Sequence, residues 1–175
     1  MLRLMLMRHA KSSWGDPDVQ DFDRPLNARG RDAAPRVGAY IGEHDLAPQH
    51  IFCSAARRTR ETLAFLLPTL PGTTTITISS ALYTFEMDDL AHLLTGLRET
   101  PSPLMLIGHN PAIHDLALTL ADDDGTPLRA ELRRKFPTAG LAIIDFDGTD
   151  WRAIRPATGR LVEFVRPRDL VAAGD

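Results

Sequence analysis

The chain has 175 residues, of which 43% are hydrophobic and 25% are charged, and its formal net charge at pH 7 is −3. These proportions are typical of a globular protein and exclude wholesale disorder, a coiled coil and a collagen-like rod. The slight excess of acidic residues excludes a general electrostatic attraction to nucleic acid. We therefore expect one domain spanning residues 1–175, which is long enough to bury a sizeable core.

The cysteine content and the hydropathy pattern predict a protein of a reducing compartment. The single cysteine, Cys53, cannot form an intrachain disulfide. No His or Cys spacing typical of a metal site occurs, so we expect neither a metal nor a cofactor. The apolar start is interrupted by Arg3, unlike a signal peptide, and no apolar run approaches the roughly 20 residues of a membrane helix. We expect a cytoplasmic monomer that binds neither membrane nor nucleic acid.

The first half of the chain alternates between strand and helix patterns. Residues 2–7 form an apolar run typical of a strand, and the polar stretch 10–27, which contains Gly and Pro, predicts a long loop. Apolar periodicity then predicts, in chain order, a helix over 28–44, a strand over 49–53, a helix over 56–67 that ends at Pro68, and a strand over 74–79.

The second half continues this alternation and then becomes richer in strands. A helix is predicted over 87–98 and an apolar strand over 104–107. Asn110 is placed to cap a helix that has Pro111 at its first position and runs to about Leu120. After an acidic turn over 122–125, closing strands are predicted over 140–146, 151–155 and 161–165, with a hairpin turn at Asp147-Gly148.

The alternation predicts an α/β fold with a mostly parallel sheet, in which ligands bind at the carboxyl ends of strands. Arg8 and His9 follow the first predicted strand, Arg57 and Arg58 come shortly after the second, and His109 follows the fourth. If these strands are neighbours, two imidazoles and at least two guanidinium groups converge. Guanidinium groups match phosphoryl oxygens and a neutral imidazole is a nucleophile, so the set favours metal-free phosphoryl transfer. The alternative is that the histidines are polar loop residues and the arginines form a solvated helix face.

Four segments carry a resemblance to a known family: Leu6–Ser12 (LMRHAKS), Asp23–Gly30 (DRPLNARG), Ser54–Thr62 (SAARRTRET) and Leu106–Pro111 (LIGHNP). In order and spacing they resemble the motifs of the histidine phosphatase superfamily, and in particular its short SixA-like branch of phosphohistidine phosphatases. The resemblance implies a phosphoglycerate mutase-like fold, which is a three-layer αβα sandwich with a mostly parallel central sheet.

The resemblance also implies residue roles. His9 would be the nucleophile that becomes phosphorylated, Arg8 and Arg58 would bind phosphate oxygens, and His109 would contact the transferring phosphoryl group. Arg58 is preferred to Arg57 because the family's arginine lies four residues after the motif serine. The resemblance further implies that Arg24 and Ser12 contact the phosphate or another part of the substrate.

The general acid is the one role that the sequence leaves open. Larger relatives place a Glu where this chain has Thr84, and the candidates that remain are Asp21, Asp23, Glu86 or none. An alkoxide leaving group needs a proton in the transition state, whereas a phosphorylated imidazole can leave as a neutral ring. The missing Glu therefore favours a phosphohistidine substrate.

Three functions follow for the same site. The first is dephosphorylation of phosphohistidine in a protein partner, a histidine phosphotransfer domain. The second is hydrolysis of a small phosphate ester, and the third is phosphate binding without catalysis. The presence of all four implied catalytic residues argues against the third.

Overall fold

The computed structural model describes residues 1–170, and within this range six strands form one sheet in the order β3-β2-β4-β1-β5-β6. The strands are β1 Leu2–Arg8, β2 His50–Ser54, β3 Thr75–Ser79, β4 Leu104–Gly108, β5 Leu141–Phe146 and β6 Gly159–Val165. The α-helices are α1 Ala28–Glu43, α2 Arg57–Leu66, α3 Met87–Gly96, α4 Ala112–Leu120 and α5 Pro127–Arg134.

The sheet is mostly parallel, as the alternation predicted. Strands β3, β2, β4 and β1 pair in parallel, and β5 is antiparallel to both β1 and β6. Because β1 lies between β4 and β5, its carboxyl end meets the carboxyl ends of β4 and β2 and the start of β5 at one edge of the sheet. The predicted site residues lie at this edge.

Strand β1 separates two apolar cores through its alternating side chains. Leu2, Leu4 and Leu6 pack with the buried residues of α3, α4 and α5, whereas Met5 and Met7 pack with those of α1 and α2. All five side chains are at most 3% exposed. A strand buried on both faces explains its continuous apolar run, and the result is the expected three-layer αβα sandwich.

The start of α1 is pressed against the loop that follows β1. Asn27 caps the helix by accepting a hydrogen bond from the Gly30 N–H at 3.0 Å, and the Asn27 N–H donates to the Lys11 carbonyl at 2.9 Å. A Cβ atom on Gly30 would lie 2.2 Å from the Lys11 carbonyl oxygen. Glycine is therefore required at this position by close approach of two backbone segments.

One helix was not predicted, and two local predictions are wrong. Residues 127–134 form α5, which was not predicted because its sequence is mostly polar. Thr126 and Pro127 are nevertheless an ordinary helix start. The Thr126 hydroxyl caps the helix by accepting a hydrogen bond from the Arg129 N–H at 3.2 Å. Asn110 does not cap α4, because its side chain donates to the Phe136 carbonyl at 3.2 Å.

The second wrong prediction concerns the closing strands. Trp151–Ala153 is a short 3-10 turn rather than a strand, because the fully buried Trp151 turns its indole N–H to the Pro101 carbonyl at 3.0 Å. Strand β5 therefore reaches β6 through the connection 147–158, and Asp147-Gly148 is not a tight hairpin turn between strands.

No helix within residues 1–170 is long and apolar enough to cross a membrane.

We expect the substitution Gly30→Ala to lower the free energy of unfolding by about 1–3 kcal/mol, because the added methyl group overlaps backbone that has to shift. Denaturant unfolding measures this difference. Gly96→Ala is the matched control, since Gly96 is also helical and its added Cβ would meet no atom within 4 Å. Equal effects of the two substitutions would contradict the close approach at Gly30.

Candidate active site

The carboxyl ends of β1, β2 and β4 bring two histidines and an arginine together. His9 follows β1, Arg58 lies in the first turn of α2 directly after β2, and His109 follows β4. The two imidazole centroids are 5.3 Å apart, and all three side chains are buried, with His9 7%, Arg58 2% and His109 1% exposed. The convergence depends on β4 lying between β1 and β2 in the sheet.

The guanidinium group of Arg58 lies between the two imidazoles. Its Nε donates to Nε2 of His9 at 3.3 Å, and its Nη2 lies 3.2 Å from Nδ1 of His109. A guanidinium has only donors, so the ring nitrogens that face it accept. The protons of the neutral rings are then on His9 Nδ1 and His109 Nε2.

The opposite nitrogens of both rings have partners that fit this assignment. His9 Nδ1 donates to the Ala10 carbonyl at 2.7 Å, and His109 Nε2 donates to the Ser54 hydroxyl at 2.8 Å. These bonds fix the orientation of the rings. They leave the Nε2 lone pair of His9 as the nucleophilic electron pair of the site.

Both histidines are held in the neutral form. Burial lowers the pKa of His9 to about 3, with further lowering by His109, Arg58 and Arg8. Burial, followed by the charge of Arg58, likewise lowers the pKa of His109 to about 3. At neutral pH the lone pair on His9 is therefore available for attack.

Arg8 supplies a second cation with an unused donor. Its Nη1 donates to the Phe136 carbonyl at 2.9 Å, while its buried Nε has no hydrogen-bond partner within the described part of the chain. Burial lowers the pKa of Arg8, and the nearby charge of Arg58 lowers it further. A phosphoryl group bound beside Arg8 and Arg58 would neutralise the repulsion between the two guanidinium groups.

Asp21 fixes Arg58 from the long loop. Its carboxylate Oδ2 accepts from Arg58 Nη2 at 3.0 Å and from the Tyr83 hydroxyl, and its carbonyl accepts from Arg58 Nη1 at 2.5 Å. Burial alone would raise the pKa of Asp21, but the hydrogen bond from Tyr83 and the charge of Arg58 outweigh it and lower the pKa to about 2. Asp21 is thus an ionised carboxylate at neutral pH.

Arg24 and Ser12 lie in the pocket wall and are bound to each other. Arg24 Nη1 donates to the Ser12 hydroxyl at 3.0 Å, its Nε donates to Asp21 Oδ1 at 3.0 Å, and its guanidinium carbon lies 3.5 Å from the ring centroid of Trp14. These contacts hold the long loop together. A direct contact of Arg24 or Ser12 with phosphate stays a prediction.

The remaining acid candidates lie outside the pocket. Asp23 and Glu86 are exposed and neither lines the pocket, whereas Asp21 does. The buried Thr84 turns toward α3, where its hydroxyl donates to the Asp89 carboxylate at 2.5 Å. The position that carries the Glu in larger relatives therefore presents no side chain to this site.

Sequence reasoning missed three aromatic side chains of the site. Trp14 and Phe85 line the pocket, which has a volume of about 230 Å³, and Tyr83 contacts Asp21 from the segment after β3. The signal for Tyr83 and Phe85 was available, because they follow the third predicted strand and strand ends mark the site. Trp14 had no signal beyond its place in a long loop.

The site can accept a phosphoryl group on His9 while Arg8 and Arg58 bind its oxygens. Within residues 1–170, no group of three or more His, Cys, Asp or Glu side chains could hold a metal ion. The family model of the histidine phosphatase superfamily, branch 1, matches residues 4–100, which is more than half of the chain. The chain belongs to the histidine phosphatase superfamily.

Relatives of this superfamily member match over almost the whole chain. An uncharacterized protein of Mycobacterium tuberculosis is 32% identical over 164 residues, which cover 93% of this chain and 100% of that protein. Two solved structures are candidate SixA phosphohistidine phosphatases. The one from Agrobacterium tumefaciens has 29% identity and a TM-score of 0.80, covering 95% of this chain and 98% of its own. The one from Nakamurella multipartitia has 27% identity and a TM-score of 0.81, covering 95% and 96%. The resemblance drawn from the four segments, including its SixA-like character, is confirmed.

We expect the ring protons of His9 and His109 to keep the chemical shifts of neutral imidazole between about pH 8 and about pH 5, because a histidine with an ordinary pKa near 6.5 would change its shift over this range. NMR titration measures the shifts, and spectra of His9→Gln and His109→Gln assign them. A short histidine peptide in the same buffers is the control. A titration midpoint near pH 6.5 for either ring would contradict the neutral pair.

Proposed function

We propose that this histidine phosphatase removes the phosphoryl group from a phosphorylated histidine of a protein partner, such as a histidine phosphotransfer domain. One observation carries the proposal. Within the described residues, the only carboxyl group that lines the pocket is that of Asp21, and its pKa of about 2 leaves it without a proton to donate. A substrate whose leaving group needs no carboxylic acid therefore suits this site best.

In the first step, Nε2 of His9 attacks phosphorus, and the bond from phosphorus to the substrate nitrogen breaks. If the other nitrogen of the substrate ring carries a proton, the electron pair of the broken bond stays on a neutral imidazole. Arg8 and Arg58 bind the phosphoryl oxygens, whose charge has to be stabilised in the transition state. The hydrogen bond from Arg58 to His9 Nε2 has to give way to phosphoryl oxygen as the substrate binds.

In the second step, water attacks phosphorus and the bond from phosphorus to His9 breaks. Both water protons leave on the released dihydrogen phosphate, and His9 regains its lone pair while keeping the proton on Nδ1. The hydrogen bond from Nδ1 to the Ala10 carbonyl, at 2.7 Å, keeps the ring oriented through both steps. Positioning and charge neutralisation are the contributions that phosphoryl transfer requires from the protein.

The relatives support the same substrate class. Both similar solved structures named above are candidate phosphohistidine phosphatases, and their likeness covers 95% of this chain. A small phosphate ester is the competing substrate. Its alkoxide leaving group would need a proton that Asp21 does not hold at neutral pH.

We expect phosphate release from a histidine-phosphorylated phosphotransfer domain to be much faster than release from sugar or glycerate phosphates. We expect the substitution His9→Ala to reduce both to background, because it removes the attacking Nε2, and the remaining imidazole, His109, stays oriented by its hydrogen bond to Ser54. Phosphate release in the presence of EDTA measures this. Faster turnover of one ester than of the phosphoprotein would assign the site to a small molecule, and loss of activity in EDTA would contradict the metal-free mechanism.

We expect the substitution Arg58→Ala to lower kcat by about 10²–10³-fold, because the transition state loses a preorganised donor. Arg57→Ala is the matched control. Arg57 is the preceding residue, is exposed, and pairs with Glu61 at 2.7 Å on the outer face of α2. Circular dichroism establishes that both variants are folded. A near-normal rate for Arg58→Ala together with a large loss for Arg57→Ala would exchange their roles.

A further inference from the structure

We call the pocket that contains His9, Arg58 and His109 the phosphate pocket. A second cavity, of about 340 Å³, opens directly beside it. The start of α1, the end of α5 and the segment 166–168 line it, and Lys11 and Thr138 belong to the walls of both cavities. An occupant of the second cavity would therefore lie next to a phosphoryl group bound at His9. The catalytic steps described above use no residue that belongs to the second cavity alone.

Positive charge dominates this second cavity, which we call the basic groove. Seven of its lining side chains are cationic and two are acidic, although the whole chain has a net charge of −3. The cationic side chains are Lys11, Arg29, Arg36, Arg134, Lys135, Arg166 and Arg168. Concentrating cations in one cleft of an acidic protein creates a local field that attracts anions.

Three of these cations are available to a partner. Lys11, Arg29 and Lys135 are exposed, and within residues 1–170 they form no ion pair. Lys11 also lines the phosphate pocket, whereas Arg29 lies at the start of α1 and Lys135 directly follows α5.

The other four cations are arranged around the two acidic side chains. Arg36 pairs with Asp32 at 2.6 Å, and Glu131 receives Arg166 together with the more distant Arg134 and Arg168. The groove therefore contains two carboxylates among its seven cations. The three unpaired cations match a protein surface that carries separated carboxylates, whereas a continuous phosphate backbone would also meet Asp32 and Glu131 as repulsive contacts.

We propose that the basic groove binds an acidic surface of the phosphorylated protein, so that the preferred substrate is a phosphohistidine flanked by Asp and Glu residues. This inference rests on the proposed function, because it specifies which phosphohistidine proteins the same site selects. Charge complementarity of this kind raises the association rate and the specificity, and it weakens as salt screens the charges.

Two peptides of about twelve residues test this inference, each with a central phosphohistidine, one with flanking Glu and the other with flanking Gln. At about 0.1 M salt, where the Debye length is about 10 Å, we expect kcat/KM to be about tenfold higher for the Glu peptide. We expect the advantage to disappear at about 1 M salt. The double variant R29E/K135E should remove the advantage and leave turnover of the Gln peptide unchanged, because neither residue lines the phosphate pocket.

The double variant R98E/R160E is the matched control. It changes the net charge by the same amount, and both residues are exposed at the opposite edge of the sheet, where β4 and β6 begin. We expect it to retain the preference for the Glu peptide. Equal turnover of the two peptides by the unmodified protein, or equal loss of the preference in both double variants, would overturn the basic groove as a docking surface.

Two further outcomes separate this inference from its alternatives. Turnover of neither phosphohistidine peptide by the unmodified protein would contradict the proposed function itself. Turnover of both peptides with no preference would contradict only the docking surface. Stronger competition by a short single-stranded DNA than by the unphosphorylated Glu peptide of equal charge would assign the groove to nucleic acid.

Discussion

A buried guanidinium between two imidazoles is the constraint on which the rest of this structure depends. Removing a cation from water costs several kcal/mol, so Arg58 requires compensating partners on every side. Asp21 provides the counter-charge and a carbonyl acceptor, and the lone pairs of His9 and His109 take two of the remaining donors. The long loop, β1 and β4 are thereby tied to the first turn of α2. The same contacts that satisfy Arg58 in the absence of substrate give it the position from which it would bind phosphoryl oxygen in the proposed reaction.

The fold delivers these groups because three parallel strands end at one edge and each end is anchored separately. The Ala10 N–H donates to the Thr62 hydroxyl at 2.9 Å, and the Ser54 hydroxyl accepts from His109. Close approach at Gly30 presses α1 onto the loop that begins at His9. Polar groups of the backbone and of buried hydroxyls thus orient the rings, and the two apolar cores around β1 hold the strand ends rigid. Catalysis of phosphoryl transfer depends mainly on such preorganised groups.

The sequence predicted the parts of this arrangement that depend on local patterns. The apolar runs located β1 and β4, and the rule that ligands lie at strand ends pointed to His9, to His109 and to the arginines after the second strand. The family resemblance then selected Arg58 over Arg57. The sequence could not predict the ion pair between Asp21 and Arg58, because that contact depends on the conformation of the long loop. Helix α5 was not predicted because its sequence lacks a clear apolar pattern. Its capped start and its packing stabilise it instead. Side-chain hydrogen bonds between distant segments, such as Asn110 with Phe136, have no signature in one sequence.

The charge of Arg58 also connects the nucleophile with the choice of leaving group. A cation favours the deprotonated form of any neighbour, whether that form is a neutral imidazole or a carboxylate. For the two histidines this effect adds to burial and keeps His9 nucleophilic. For Asp21, burial alone would raise the pKa, but the charge of Arg58 and the hydrogen bond from the Tyr83 hydroxyl lower it. The carboxyl group therefore lacks the proton that a general acid would donate. A site built around this guanidinium therefore cannot combine a neutral nucleophile with a protonated Asp21. In the proposed reaction the proton for the leaving group comes with the substrate, because a protonated imidazole ring leaves phosphorus as a neutral ring.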